Sequence, residues 1–196
     1  MFKRTGLILL VFFMVVCTGC GSGIRFSQSA PEAAAFHPQS IAVLPVAVGS
    51  YGDAKGIADR IIAEVLADKG WFKRVVSADD FQKRLGADEE VRKVVTEYLN
   101  KITNVNFSDP DLSRRIAEVY QIDAFLVVGV DLWNYTVESG KKTAKIGLNF
   151  QLVDARSGRI MWKARHSRVD TFVVLKPALA GMAKSLTRQM IAYMPH

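Results

Sequence analysis

The sequence predicts an α/β (α+β) domain, a mixed sheet of about five strands with helices packed on it. Three observations carry that expectation. Ile41–Val46 (IAVLPV) is a short unbroken apolar run, the mark of a strand covered on both faces. Ala124–Val130 (AFLVVGV) is a second such run. Lys145–Asp154 instead alternates, with Ile146, Leu148, Phe150 and Leu152 on one side, as a strand of an antiparallel pair does. The element order reads β-α-β-α-α-α-β-β-β-α within a single domain, and no internal repeat is present.

The elements follow in order. Gly21–Pro38 holds Gly, Ser, Ala, Gln and Pro with only Arg25 and Glu32 charged, so residues 20–39 read as a flexible tether. Its root-mean-square reach is on the order of 25 Å, and its stretched length about 60 Å. After the first strand, the glycine-rich turn Gly49–Gly56 leads to a helix over Ile57–Lys69, stopped by Gly70. Phe72–Val76 is a second strand, and Ser77 caps a short helix through Phe81 and Leu85. Asp88–Ile102 places Val91, Val94, Val95, Tyr98 and Ile102 at helical spacing. Asp109-Pro110 starts the next helix, with Leu112, Ile116 and Val119 as its buried stripe. Asn134–Lys142 reads as a polar turn, Ala155–Gly158 as a tight connection, and Arg159–Val169 as a strand with Ile160, Trp162 and Ala164 inward. Pro177 lies near the start of the last helix, whose Leu179, Met182, Leu186 and Met190 face the core. Strands joined through helices predict parallel pairing, and the last three predict an antiparallel meander.

Upstream of the tether, Lys3 and Arg4 precede the apolar run Gly6–Val16, and Cys17-Thr18-Gly19-Cys20 closes it. A charged start, an apolar run too short for a bilayer and a small-residue end make an export signal. The segment resembles the signal of bacterial lipoproteins, with Cys17 where that pattern usually has leucine. The resemblance implies cleavage before Cys20 and acylation of its thiol and new amine. Gly21 after the cysteine, in place of Asp, implies the outer membrane. Cys17 and Cys20 also match C-x-x-C, but no βαβ context surrounds them and cleavage separates the thiols.

Removing residues 1–19 takes away Lys3 and Arg4 and no acid, so a formal charge of +7 falls to +5. The export signal argues against nucleic acid as a partner. His37, His166 and His196 have no ligand spacing, so no metal is expected. Gly49, Gly52 and Gly56 stand where a phosphate loop would, but fit neither G-x-G-x-x-G nor the P-loop. Asp131 and Asp154 are candidate paired carboxylates, set against the reading that each is a solvated strand end. Trp133 and Trp162 read as core or rim aromatics rather than a sugar platform. No catalytic residue or cofactor site is assigned.

The basic segment Lys141–Arg168 stands out. It holds Lys141, Lys142, Lys145, Arg156, Arg159, Lys163, Arg165 and Arg168 against Asp154 alone, a surplus of +7. Alternation puts Lys163 and Arg165 opposite Ile160 and Trp162. Either this is a solvated face, or Lys163, Arg165 and Arg168 dock an anionic surface that salt would weaken.

Three blocks then carry a family resemblance. They are IAVLPV with the helix Ile57–Lys69 and Gly70–Val76, the run Ile122–Gly129, and Leu152–Trp162 with its D-x-x-[ST]-G-x-[IL]-x-W turn. Together they resemble envelope lipoproteins related to the curli secretion channel subunit, the lipoprotein activator of penicillin-binding proteins and the TolB amino-terminal domain. The resemblance implies a non-enzymatic role in envelope assembly or regulation, with a protein partner and self-association as expectations. A pore is not expected, because Gly86–Asp109 is helical by period and Asn134–Lys142 is too short for membrane strands. The alternatives are binding of an anionic envelope polymer or lipid, and regulation of a cell-wall synthase.

Overall fold

Ile41, Val43, Leu126 and Val128 pack on one side of a sheet, Ala42, Leu44, Phe125 and Val127 on the other, and helices cover both. That is why both runs are apolar at every position. The computed structural model describes residues 25–196, so Cys17, Cys20 and the export signal lie outside the described residues. Six strands form the sheet: β1 (Phe26–Ser29), β2 (Ser40–Val43), β3 (Arg74–Val76), β4 (Ala124–Glu138), β5 (Lys141–Asp154) and β6 (Ile160–Phe172). Their order is β1-β6-β5-β4-β2-β3.

The helices are α1 (Ile57–Lys69), α2 (Ala78–Ala87), α3 (Glu89–Asn104), α4 (Pro110–Tyr120) and α5 (Leu179–Ile191). Crossovers through helices make β3, β2 and β4 parallel, short turns make β4, β5 and β6 antiparallel, and β1, from the start of the described chain, adds antiparallel to β6 at the edge. Helices α1 and α5 pack over Phe150 and Trp162 on one face. Helices α2, α3 and α4 pack over Phe125 on the other, where Tyr98 meets its ring edge-on at 5.1 Å.

The helix starts are set by side chains that satisfy otherwise unpaired amides. Ser77 Oγ accepts from Asp80 N at 3.1 Å, and Asp88 Oδ1 from Glu90 N at 2.9 Å. Asp109 Oδ1 accepts from Asp111 N at 3.0 Å, with Pro110 at the first helical position. The expected D-x-x-S-G turn is closed by its own polar groups. Asp154 Oδ1 accepts from Arg156 N at 3.1 Å, and Ser157 Oγ donates to Asp154 Oδ2. Gly158 has φ +71°, and a Cβ there would stand 2.8 Å from Pro110 Cα, so the turn is packed tightly onto the start of α4.

Two segments differ from their sequence reading. The first is the tether. Phe26–Ser29 pairs with β6, and Pro31–Ala35 forms a 3₁₀ turn that buries Ala33. Every residue of β1 is exposed, which is why its composition looks like a linker. It is held through Trp162, whose buried indole Nε1 donates to Ser27 Oγ at 2.9 Å. The second is Asn134–Lys142, expected as a turn. Strand β4 instead runs to Glu138, and only Ser139-Gly140, both at positive φ, turn the chain into β5. Polar residues fill these strand ends because one face there has no helix over it. The sheet therefore has six strands where about five were expected.

Candidate functional site

Helices cover one face of β5 and β6 through α5, but on the opposite face the α2–α4 layer reaches only Val153 and Ile160. The rest of that face is open and polar. Gly129 and Asn149 are opposite one another in register. A Cβ on Gly129 would fall 2.6 Å from Asn149 Nδ2, so the missing side chain is what lets Asn149 lie across β4. Asn149 Nδ2 donates to Asp131 Oδ1 at 2.9 Å. Arg165 grips the same carboxylate with Nε on Oδ2 at 2.8 Å and Nη2 on Oδ1 at 3.0 Å. Such a two-point guanidinium contact fixes direction as well as distance. Beside it, Lys163 Nζ donates to Asn106 Oδ1 at 3.2 Å, and Asn106 holds a left-handed backbone at φ 52°. Gln151 lies opposite Lys163 in register, and its Oε1 is buried with no hydrogen-bond partner.

The anionic-surface trio does not hold together. Lys163 and Arg165 share the open face, while Arg168 stands on the opposite one. There Arg168 forms a two-point contact with Asp170, at 2.9 and 2.8 Å, and donates to Ser185 of α5 at 3.2 Å. Hydrogen bonding to Asp170 holds its guanidinium above its ordinary pKa. The surplus of the basic segment is also offset from outside it. Asp131 serves Arg165, Glu138 serves Lys145, Glu32 serves Arg159, and Asp170 serves Arg168. Sheet pairing brings those acids in, and counting along Lys141–Arg168 misses them.

The remaining candidates are occupied by the fold. Asp131 and Asp154 sit about 23 Å apart along the β4–β5 ladder, seven residues at the strand rise, so they are no catalytic pair. Asp59, at 8% exposure, accepts from Val46 N at 2.9 Å and Gly56 N at 3.1 Å. It fills with a carboxylate the position a phosphate would take at the start of α1. His37 Nδ1 meets the His196 carbonyl at 2.9 Å, and the His196 ring stacks on Trp71 at 3.8 Å. His166 stands apart, accepting from Arg25 N at 3.2 Å on Nδ1. Burial, and then the Arg25 charge, push its pKa below the ordinary imidazole value. Among the described residues no three His, Cys, Asp or Glu side chains come together as a metal site. Trp133 and Trp162 are buried in the core.

An open groove of about 910 Å³ lies beside Phe36, His37, Arg114, Glu118, Asp123 and Arg156. Its central acid is already used, since Asp123 Oδ2 accepts from Gln39 N, Ser40 N and Ser40 Oγ at 3.0, 3.0 and 2.9 Å. Among the described residues no helix is long and apolar enough to cross a membrane. The residues of the open face escaped sequence reading, because Asp131 and Arg165 are 34 positions apart. Gly129 inside an apolar strand was the one local signal, as a glycine there marks a close approach.

No family model matches the sequence, and no curated protein matches it. Solved structures do. PelC from Paraburkholderia phytofirmans, solved as a dodecamer, is similar with a TM-score of 0.55 and 19% identity, over 87% of this chain and 95% of that one. Lipoprotein GNA1162 from Neisseria meningitidis is similar with a TM-score of 0.55 and 19% identity, over 79% of this chain and 99% of that one. At such identity the likeness is one of fold, and the fold expected from the envelope-lipoprotein resemblance is the fold observed.

Proposed function

We propose that the chain is a lipid-anchored envelope protein, acylated at Cys20 and held at the outer membrane, whose periplasmic domain is a non-enzymatic interaction and assembly module. The open sheet face of β4, β5 and β6 carries the reading. Catalysis needs ionisable groups free to meet a substrate. Here Asp59, Asp123, Asp131 and Asp154 each hold backbone or a cation. An interaction surface needs polar groups already ordered, so that little freedom is lost on binding. The Asp131–Asn149–Arg165 network supplies that order. Self-association fits as well, because β1 is an exposed edge strand with a free backbone row.

A photo-cross-linking residue at Ser167 or Val169, both on the open face of β6, is expected to capture a protein in the native envelope. Failure of both to give any adduct would overturn the module reading. Cys20→Ser is expected to leave the precursor uncut and free of acyl chains. Processed, membrane-held Cys20→Ser protein would sink the anchor. The alternative of an anionic polymer or lipid on Lys163, Arg165 and Arg168 has less support, because Arg165 is already paired and Arg168 faces the other way.

A further inference from the structure

Beside the polar β4–β5 turn, the same end of the sheet exposes aliphatic side chains to solvent. Val173, Val174 and Leu175, between β6 and α5, are 86, 86 and 87% exposed, and Val137 is 65% exposed. Soluble monomers seldom leave such residues side by side without a use for them. Val137, Lys142 and Phe172 form one row across β4, β5 and β6, and Val173 continues from it. The base of the loop is braced. Tyr135 Oη donates to the Pro177 carbonyl at 2.6 Å, its ring meets Phe172 edge-on at 6.0 Å, and Lys176 Nζ sits 3.7 Å above it.

Cations ring the patch. Lys141, Lys142 and Lys176 are exposed around it, and the nearest acids are engaged elsewhere, Glu138 with Lys145 and Asp170 with Arg168. Aliphatic side chains bordered by ammonium groups match one environment, the boundary between acyl chains and anionic headgroups.

Chain direction points to the same end. Strand β1 runs antiparallel to β6 with Phe26 opposite Arg165, and Arg25 N bonds to His166. At Arg25 the chain therefore points along β6 toward Phe172. Four residues separate Arg25 from Cys20, five Cα steps that reach about 17 Å, and His166 to Phe172 spans about 20 Å at the strand rise.

We infer that this end of the domain rests on the anionic bilayer that holds Cys20. Val137, Val173, Val174 and Leu175 enter its interfacial layer, and Lys141, Lys142 and Lys176 meet its headgroups. The inference rests on the acylation of Cys20. The mature acylated protein, in vesicles of phosphatidylethanolamine and phosphatidylglycerol, tests it. Val174→Cys carries a nitroxide, since Cys17 leaves with the signal and Cys20 is acylated. Glu118→Cys, exposed at the opposite end of β5 beside Asp154, is the control.

The label at 174 is expected to gain collisions with oxygen and lose them with an aqueous nickel chelate, as for a site roughly 5–10 Å into the boundary layer, while that at 118 behaves as in water. Equal chelate access at 174 and 118, with the intact mass showing acyl chains, would overturn the inference and leave the anchor standing. A label at 174 shielded from chelate and oxygen alike would also overturn it, as contact with protein. A mass without acyl chains would overturn the anchor reading itself, and this inference with it.

Discussion

Single residues decide more here than the charge pattern suggests. Gly158 and Gly140 both have positive φ, but of the two only Gly158 is crowded, with Pro110 Cα 2.8 Å from where a Cβ would stand. Gly140→Ala should cost about 1 kcal/mol, the strain of a left-handed backbone alone. Gly158→Ala should cost about 3 kcal/mol, strain plus displacement of the start of α4. Urea midpoints of the two variants check the order, and equal midpoints would contradict the packing described. The Asp-Ser-Gly turn was legible because its polar groups all lie within five residues. The Asp131–Arg165 contact was not, since only the sheet register makes those residues neighbours.

Among the elements, β1 is the one whose composition concealed it. Its residues are exposed, so no hydrophobic periodicity marks them, and its hold is the backbone ladder to β6 with added contacts at Ser27 and Arg25. One of those contacts titrates. His166 accepts from Arg25 N and keeps a pKa below the ordinary value, so the unfolded chain takes up the proton first. The contribution is whole above about pH 6.5 and is lost as pH falls from there through the lower folded value. Amide exchange at Arg25 and along β1 should quicken between pH 7 and pH 5, and His166→Asn should remove that dependence. The longer helices and the apolar strands were read correctly because their periodicity reports burial directly. Strands β4 and β5 were cut short in the sequence reading. Beyond Asp131 their open face carries polar residues, which hid the alternation of Trp133, Tyr135 and Val137.

For the whole molecule, the sheet is the one element that both helical layers share. Alternate residues of β4 serve opposite sides, Phe125 and Val127 under α2–α4, Leu126 and Val128 under α1 and α5. Phe125→Ala should therefore cost about 3–5 kcal/mol and unfold both layers together. The tryptophans report only the α1/α5 side, because Trp133 and Trp162 lie in that cluster and Trp71 packs against it. Far-ultraviolet dichroism also reports α2–α4. Coincident urea curves from the two probes are expected, and separated curves would mean that the layers come apart on their own.

On the proposed acylation of Cys20, the edge strand at the start of the fold also sets a mooring length. With Phe26–Ser29 paired to β6, only residues 21–25 stand between that lipid and the sheet. A partner of a protein so moored would have to be carried to the membrane surface, or be assembled there.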